Sequence, residues 1–277
     1  LVLILFQHSW NYRKHNIINY PELGYITSQP HAVWYVEKNI KKPIKRLSSR
    51  IHRLCKHAFP TQPTIVLYSI TGRDVGGHSK GGLHPNDYIK YIRNVTDGIG
   101  DYQPLVIFEP DAIPHMSNMS TQDFRDRKYL IIESLKILTQ SNALIYLDIG
   151  HPYWLKKMEA VDYLNIFMNE SIKGFSLNTS NFVTTDKCIN YGDYIANNIG
   201  CSYVIDTSRN GNEVDETFNP PNMKLGPLPT TKTNSDYCDA YLWIKTPGES
   251  DGAVNGWPKA GRFNAQKTVD LIRGSLG

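Results

Sequence analysis

The sequence predicts an α/β fold, a sheet or barrel of parallel strands in which a helix follows each strand. Three observations predict it. Six short apolar runs, Thr64–Tyr68, Pro104–Phe108, Ala143–Leu147, Gly174–Leu177, Ser202–Ile205 and Ala240–Ile244, read as strands buried on both faces, because half-exposed strands would alternate. Helical stretches separate the runs, the alternation that builds parallel sheets. Just beyond each run lie side chains capable of chemistry: Arg73 and Asp74, Glu109 and Asp111, Asp148 and His151, Asn178 and Asn181, Asp206 and Arg209, then Lys245, Glu249 and Asp251. In such folds the C-terminal strand ends share one face, and that face carries the site.

The helices are expected, in order, over Val36–His57, Pro85–Val95, Thr121–Thr139, Tyr153–Met168, Thr185–Asn198 and Asn264–Leu276. Pro43 breaks the first of them into a short piece and a longer one. Pro85 suits a first helical turn. Ser120 with Asp123 is an N-cap signal before the apolar spacing of Phe124, Tyr129, Ile132 and Leu135. Three long connections remain: the Gly-rich Thr71–His84, the Pro- and Asn-rich Asp206–Asp236, and Thr246–Phe263. Loops of this length in a compact domain are usually functional, and all three follow a strand at its C-terminal end.

Composition narrows the classes of function. A length of 277 residues suits one α/β barrel domain, and 40% hydrophobic with 20% charged residues is ordinary for a globular chain. A net charge of +4 gives no nucleic-acid signature, and its basic excess, in Lys38–Lys56, reads as a solvated helix face. The 17 tyrosines suit either carbohydrate binding or a large core. Cys55, Cys188, Cys201 and Cys238 show no C-x-x-C spacing, so neither a zinc site nor a redox pair is indicated; two disulfides or none would fit. The apolar start Leu1–Phe6 is too short to span a bilayer and reads as the stub of a signal sequence or as a buried strand. Asn-x-Ser/Thr triplets at Asn94, Asn118, Asn169 and Asn178 are no more than an Asn-rich chain yields by chance.

Four constellations carry the chemistry. Phe108-Glu-Pro-Asp111 holds a carboxylate on a proline-stiffened loop, where partial burial raises its pKa toward that of a general acid; the alternative is a turn-capping carboxylate. Arg73-Asp74 precedes Gly76-Gly77-His78-Ser79-Lys80-Gly81-Gly82, and an acid there would keep the first one protonated by repulsion. The loop lacks the spacing of a phosphate-binding glycine motif. Lys245-Thr-Pro-Gly-Glu-Ser-Asp-Gly252 is a dense polar loop or a surface turn. Asp148-Ile-Gly-His151 has Trp154 close behind, a platform for the apolar face of a sugar, and Trp34 is another platform or core. Carboxylates with aromatics and no nucleophile–base pair point to acid–base hydrolysis of a neutral polymer.

These segments, with Gly174-Phe-Ser-Leu-Asn-Thr-Ser-Asn181, Asp206-Thr-Ser-Arg-Asn-Gly-Asn212, Asn219-Pro-Pro221 and Gly226-Pro-Leu-Pro-Thr-Thr231, resemble glycoside hydrolase family 6, closest to its bacterial endo-β-1,4-glucanase branch, over about Ser28 to Phe263. The resemblance implies a distorted, incomplete TIM-like barrel of mostly parallel strands with an open cleft, and a single catalytic domain over 1–277. It implies inverting hydrolysis of internal β-1,4 bonds of cellulose or related β-glucans; a processive cellobiohydrolase and a non-catalytic glucan-binding protein are the alternatives. Asp111 would be the general acid, Asp74 its partner and part of a proton relay, and Asp251 the candidate base. Tyr68 would distort the sugar and Ser79 would hold water. Trp34, Arg73, His151, Trp154, Asn178, Arg209, Trp243, Lys245 and Glu249 would line the site or bind glucosyl units. No metal or organic cofactor is implied, nor a nucleic-acid or membrane partner; a secreted monomer acting on β-1,4-glucan or cello-oligosaccharide is expected.

The departures from the family pattern are specific. Val75 and Phe218 stand where cysteines are common, and Thr217 where a Trp often precedes the second, so the customary disulfides and one sugar platform are in doubt. Leu155-Lys156-Lys157 follow Trp154 where a second Trp is usual. The loops at Phe182–Asp206 and after Asp251 are short beside those that roof a cellobiohydrolase tunnel, which favours internal cleavage.

Overall fold

A computed structural model describes residues 5–6, 18–37, 45–75, 77–214 and 218–276, and the apolar start through Ile4, the Pro43 break, Gly76 and Thr217 lie outside them. The described residues form one parallel sheet of seven strands in chain order: β1 (Val33–Tyr35), β2 (Thr64–Leu67), β3 (Leu105–Phe108), β4 (Leu144–Asp148), β5 (Gly174–Leu177), β6 (Ser202–Asp206) and β7 (Cys238–Leu242). Every neighbouring pair is parallel, as the unbroken apolar runs require.

The helices are α1 (Gly24–Thr27), α2 (Lys45–Ala58), α3 (Pro85–Ile99), α4 (Thr121–Leu138), α5 (Lys157–Asn165), α6 (Thr185–Ile199) and α7 (Ala265–Leu276). Pro85 opens α3, and the Ser120 Oγ accepts the Asp123 N–H at 3.2 Å, so both start signals act as expected. Helix α5 starts later than the apolar spacing suggests. The chain first turns at His151–Trp154, where the Trp154 N–H reaches the His151 carbonyl at 2.9 Å.

The sheet curls. Val66, Leu105, Ile107, Tyr146, Val204, Ala240 and Leu242, drawn from β2, β3, β4, β6 and β7, meet Ala32 and Ile244 in one interior cluster, while a larger core lies between the sheet and its helices. Strand β7 was expected to continue to Ile244. Instead its last carbonyls turn toward the first strand: Ala32 N–H donates to the Trp243 carbonyl at 3.1 Å and Trp34 Nε1 to the Ile244 carbonyl at 2.8 Å. These bonds draw the two sheet edges together, giving a distorted β/α barrel. Strand β1, only three residues long, falls below the run length that marked the other strands. All four cysteines are free thiols.

Candidate active site

Asp111 follows β3 by a Glu-Pro step, and its backbone takes the left-handed conformation with φ 68°; Glu109 and Asp74 do likewise at φ 46° and 49°. Non-glycine residues in that region are strained, and their clustering at strand ends marks backbone held for function. Asp148, the last residue of β4, supplies the hold. Its Oδ1 accepts the Asp111 and Gly150 N–H groups at 3.0 Å each, and its Oδ2 accepts Thr179 Oγ1 at 2.6 Å and Ser176 Oγ at 3.0 Å. Burial, then the charges of Asp148 and Asp74, push the Asp111 carboxyl well above the ordinary range. Burial raises Asp148 to about 6 against the pull of its four hydrogen bonds. The Asp111 carboxyl has no such bond among the described residues, so of the two it is the one that retains a proton.

Asp74 is wrapped by its own loop. Its Oδ2 accepts the Ser79 N–H, and its carbonyl accepts Gly77 N–H at 3.0 Å. A side chain at Gly77 would place its Cβ 2.0 Å from Asp74 Oδ1, so only glycine leaves the carboxylate where it is. The loop is held from below by Arg73, whose Nε reaches the Ser79 carbonyl at 2.9 Å and whose Nη1 reaches the carbonyls of Tyr68 at 2.8 Å and Glu37 at 3.1 Å.

The floor between β1, β2 and β7 is continuous. The Arg73 guanidinium lies 5.1 Å from the Tyr68 ring centroid, Tyr68 meets Trp34 edge-to-face at 5.5 Å, and Lys245 Nζ stands 5.9 Å over Trp34. Lys245 Nζ then pairs with Asp251 Oδ1 at 3.2 Å, and Arg209 Nη1 with Asp251 Oδ2 at 2.7 Å. Burial would raise the Asp251 carboxyl, but Arg209 and Lys245 outweigh it and hold it below its ordinary range. Burial raises the Tyr68 phenol, with the charges of Asp111 and Asp74 adding to the effect. Glu249, half-buried, sits in the β7 loop with its N–H on the Thr246 carbonyl at 3.1 Å.

On the other side of Asp111 an aromatic row leads outward. His115 meets Trp154 edge-on at 4.8 Å, and Trp154 lies 5.8 Å from His151. Burial lowers His151 to about 4, so the ring is neutral, and its buried Nδ1 has no partner among the described residues.

Four expected sugar contacts are placed as supports instead. Asn178 is fully buried, its Nδ2 on the carbonyls of Val183 and Asp206 and its Oδ1 on the Val183 N–H, so its amide closes the β5 loop. Trp243 is 1% exposed, packs with Leu23, Ile26, Val269 and Ile272, and donates Nε1 to the Pro227 carbonyl at 3.1 Å. Arg73 is buried beneath its loop, and Arg209, equally buried, spans Asp251 and the Ser180 carbonyl at 2.6 Å. Asp206 is also structural: its carboxylate accepts four backbone N–H groups, from Ser180, Ser208, Ile244 and Lys245.

Two residues hold positioning roles that the sequence did not assign: Glu109, a strand-end carboxylate given no part of its own, and Arg127, not singled out at all. Glu109, fully buried, accepts Ser69 N–H at 2.8 Å and Ile70 N–H at 3.0 Å, joining the ends of β2 and β3. Arg127 of α4 donates Nη2 to the carbonyls of Thr71 at 2.9 Å and Gly72 at 3.1 Å, and Nη1 to that of Ala112 at 3.1 Å. It ties the Asp74 loop to the Asp111 loop. The available signal was its place in the buried helical spacing Arg127, Leu130, Ile131, Ser134. Among the described residues no group of three or more His, Cys, Asp or Glu side chains is arranged to hold a metal ion.

A family model described as glycosyl hydrolases family 6 matches residues 9–275. Endoglucanase A of Cellulomonas fimi is 41% identical over 213 residues, covering 76% of this chain and 47% of that protein. Endoglucanase 1 of Streptomyces halstedii is 34% identical over 225 residues, covering 76% of this chain and 69% of that one. The chain thus spans about half the length of the first of these relatives. The endoglucanase Cel6 of Mycobacterium tuberculosis, solved with methyl-cellobiosyl-4-deoxy-4-thio-β-D-cellobioside, superposes with a TM-score of 0.89 at 34% identity, covering 99% of this chain and 97% of that one.

Proposed function

The chain belongs to glycosyl hydrolases family 6, and from that premise we propose that it is an inverting endo-β-1,4-glucanase. What supports this reading is the half-buried Asp111 at the strand ends of the barrel, its backbone fixed by Asp148 and its carboxyl pushed well above the ordinary range by desolvation and the charges of Asp148 and Asp74. Asp111 donates its proton to the leaving glycosidic oxygen while water attacks the opposite face of the sugar, the single displacement that inverts the anomeric centre. Tyr68, held between the Arg73 guanidinium and the edge-to-face Trp34 ring, presses on the sugar at the bond to be cut. The proton released by water is relayed to the Asp74 carboxylate, which the Ser79 N–H holds in place. Asp251 is the weaker candidate for its acceptor, because a carboxylate paired with two cations is a poor base. Trp34, Trp154 and His151 offer surfaces for glucosyl units, and Lys245 and Glu249 line the floor.

Internal cleavage is favoured by the endoglucanases among its relatives and by the short loops around β5 and β7. Viscometry of a soluble substituted cellulose tests it. Viscosity should fall steeply while few reducing ends appear; release of cellobiose with viscosity unchanged would replace this reading with an exo-acting one. A polymeric substrate that cannot enter a cell favours a site of action outside it.

A further inference from the structure

We propose that Tyr153 forms an additional glucose-stacking subsite at the rim of the cleft, fixed there by Lys187 and Glu213. The inference rests on the glucan-hydrolase reading above and extends it to chain length. Tyr153 follows β4 between His151 and Trp154 and is 59% exposed. A single exposed aromatic is unremarkable; this one is fixed at both ends. Its backbone lies in the His151–Trp154 turn, and its hydroxyl donates to Glu213 Oε1 and accepts a bond from Lys187 Nζ at 2.7 Å. Lys187 also pairs with Glu213, so α6 and the loop after β6 both grip one phenol. Exposed ion pairs add little to folding stability, and what this one achieves is a fixed ring.

Much of the ring stays open to solvent. Lys187 Nζ is 2.7 Å from the hydroxyl oxygen and 5.5 Å from the ring centroid, which puts the ammonium beyond the hydroxyl end rather than over a face. His151 meets the ring edge-on, with centroids 6.3 Å apart and planes at 80°. Tyr153 is therefore the outer end of an aromatic row that starts at His115, in the turn after Asp111, and runs through Trp154 and His151. Such a row, leading away from the acid, serves sugars several units from the cut. A glucosyl ring lays its C–H face on an aromatic, and its equatorial hydroxyls find polar partners at the edge, here Lys187 and Glu213. Because the ring is already ordered, docking a sugar on it loses little rotamer entropy.

Calorimetric titration with cellohexaose and cellotetraose, in a non-hydrolysing Asp111→Asn background with and without Tyr153→Ala, tests the subsite. Cellohexaose affinity should fall about fivefold with Tyr153→Ala, the loss of one aromatic stack, and the preference for cellohexaose over cellotetraose should fall with it. Tyr153→Trp should restore that preference, and Glu213→Gln should weaken it in part. An unchanged preference in Tyr153→Ala, with its melting temperature intact, overturns the subsite while leaving the glucanase reading standing. Failure of Asp111→Asn to bind either oligosaccharide overturns both.

Discussion

Asp148 Oδ1 accepts the backbone N–H of Asp111 at 3.0 Å, so the residue whose charge raises the Asp111 carboxyl also fixes the strained backbone that carries it. Electrostatics and geometry at the acid are therefore one device. Neither can be altered without the other unless the substitution keeps the acceptor.

Asp111→Asn removes the proton donor but keeps size and backbone contacts. Turnover of cello-oligosaccharides should fall by about 10²–10⁴-fold, the usual contribution of a positioned general acid. Cellohexaose binding should persist, as read by calorimetry. Turnover equal to the parent's would take the acid role from Asp111.

Asp148→Asn keeps an oxygen for the Asp111 and Gly150 N–H groups and removes the charge. An acid works while protonated, so activity is lost as pH rises through the Asp111 pKa. Without the Asp148 charge that pKa falls, and the alkaline limb of the kcat/KM profile should move to lower pH. A limb that stays in place would show that burial alone sets the acid.

How much of this was legible beforehand follows from what each residue sees. Strands β2 to β6 were readable because they are apolar on both faces, whereas their end carboxylates could not be sorted in advance, because Glu109, Asp148 and Asp206 turn back to bind backbone N–H groups that no apolar run announces. Strand β1 was missed because three residues carry no period. Asn178 and Trp243 were misplaced because a strand-end position does not say which way a side chain points. Asn178 turns inward to close its own loop, and Trp243 points away to α1 and α7. Arg127 was invisible because an arginine in a helix normally reads as solvated. Its work lies in three backbone carbonyls on two separate loops, Thr71 and Gly72 on one and Ala112 on the other.

Arg127→Met deletes those three bonds while keeping much of the buried volume. The Asp74 and Asp111 loops would then be free to drift against each other, and misplacement of about 1 Å costs up to about a hundredfold in rate. The fall should appear mainly in kcat, with KM changed little. Arg127→Lys, still charged but lacking the fork, should recover only part of it. Equal kcat values for Arg127→Met and the parent would remove Arg127 from its positioning role.

Asp251→Asn leaves Arg209, 1% exposed, and Lys245 without their shared counter-charge. Breaking a buried pair on one side costs on the order of 3 kcal/mol, so the melting temperature at pH 6 should drop by several degrees. The pH dependence gives the cause away. The folded pKa of Asp251 lies below the ordinary 3.8, so its stabilisation is present above that value and is lost as pH falls through the lower, folded one. The parent should therefore lose this contribution only below about pH 4, whereas the variant lacks it at every pH. Melting curves of both proteins from pH 3 to pH 7 should show a wide gap that narrows at the acid end. A gap of constant width would mean that Asn at 251 harms packing rather than charge. In that case Asp251 would cease to be the anchor of Arg209 and Lys245.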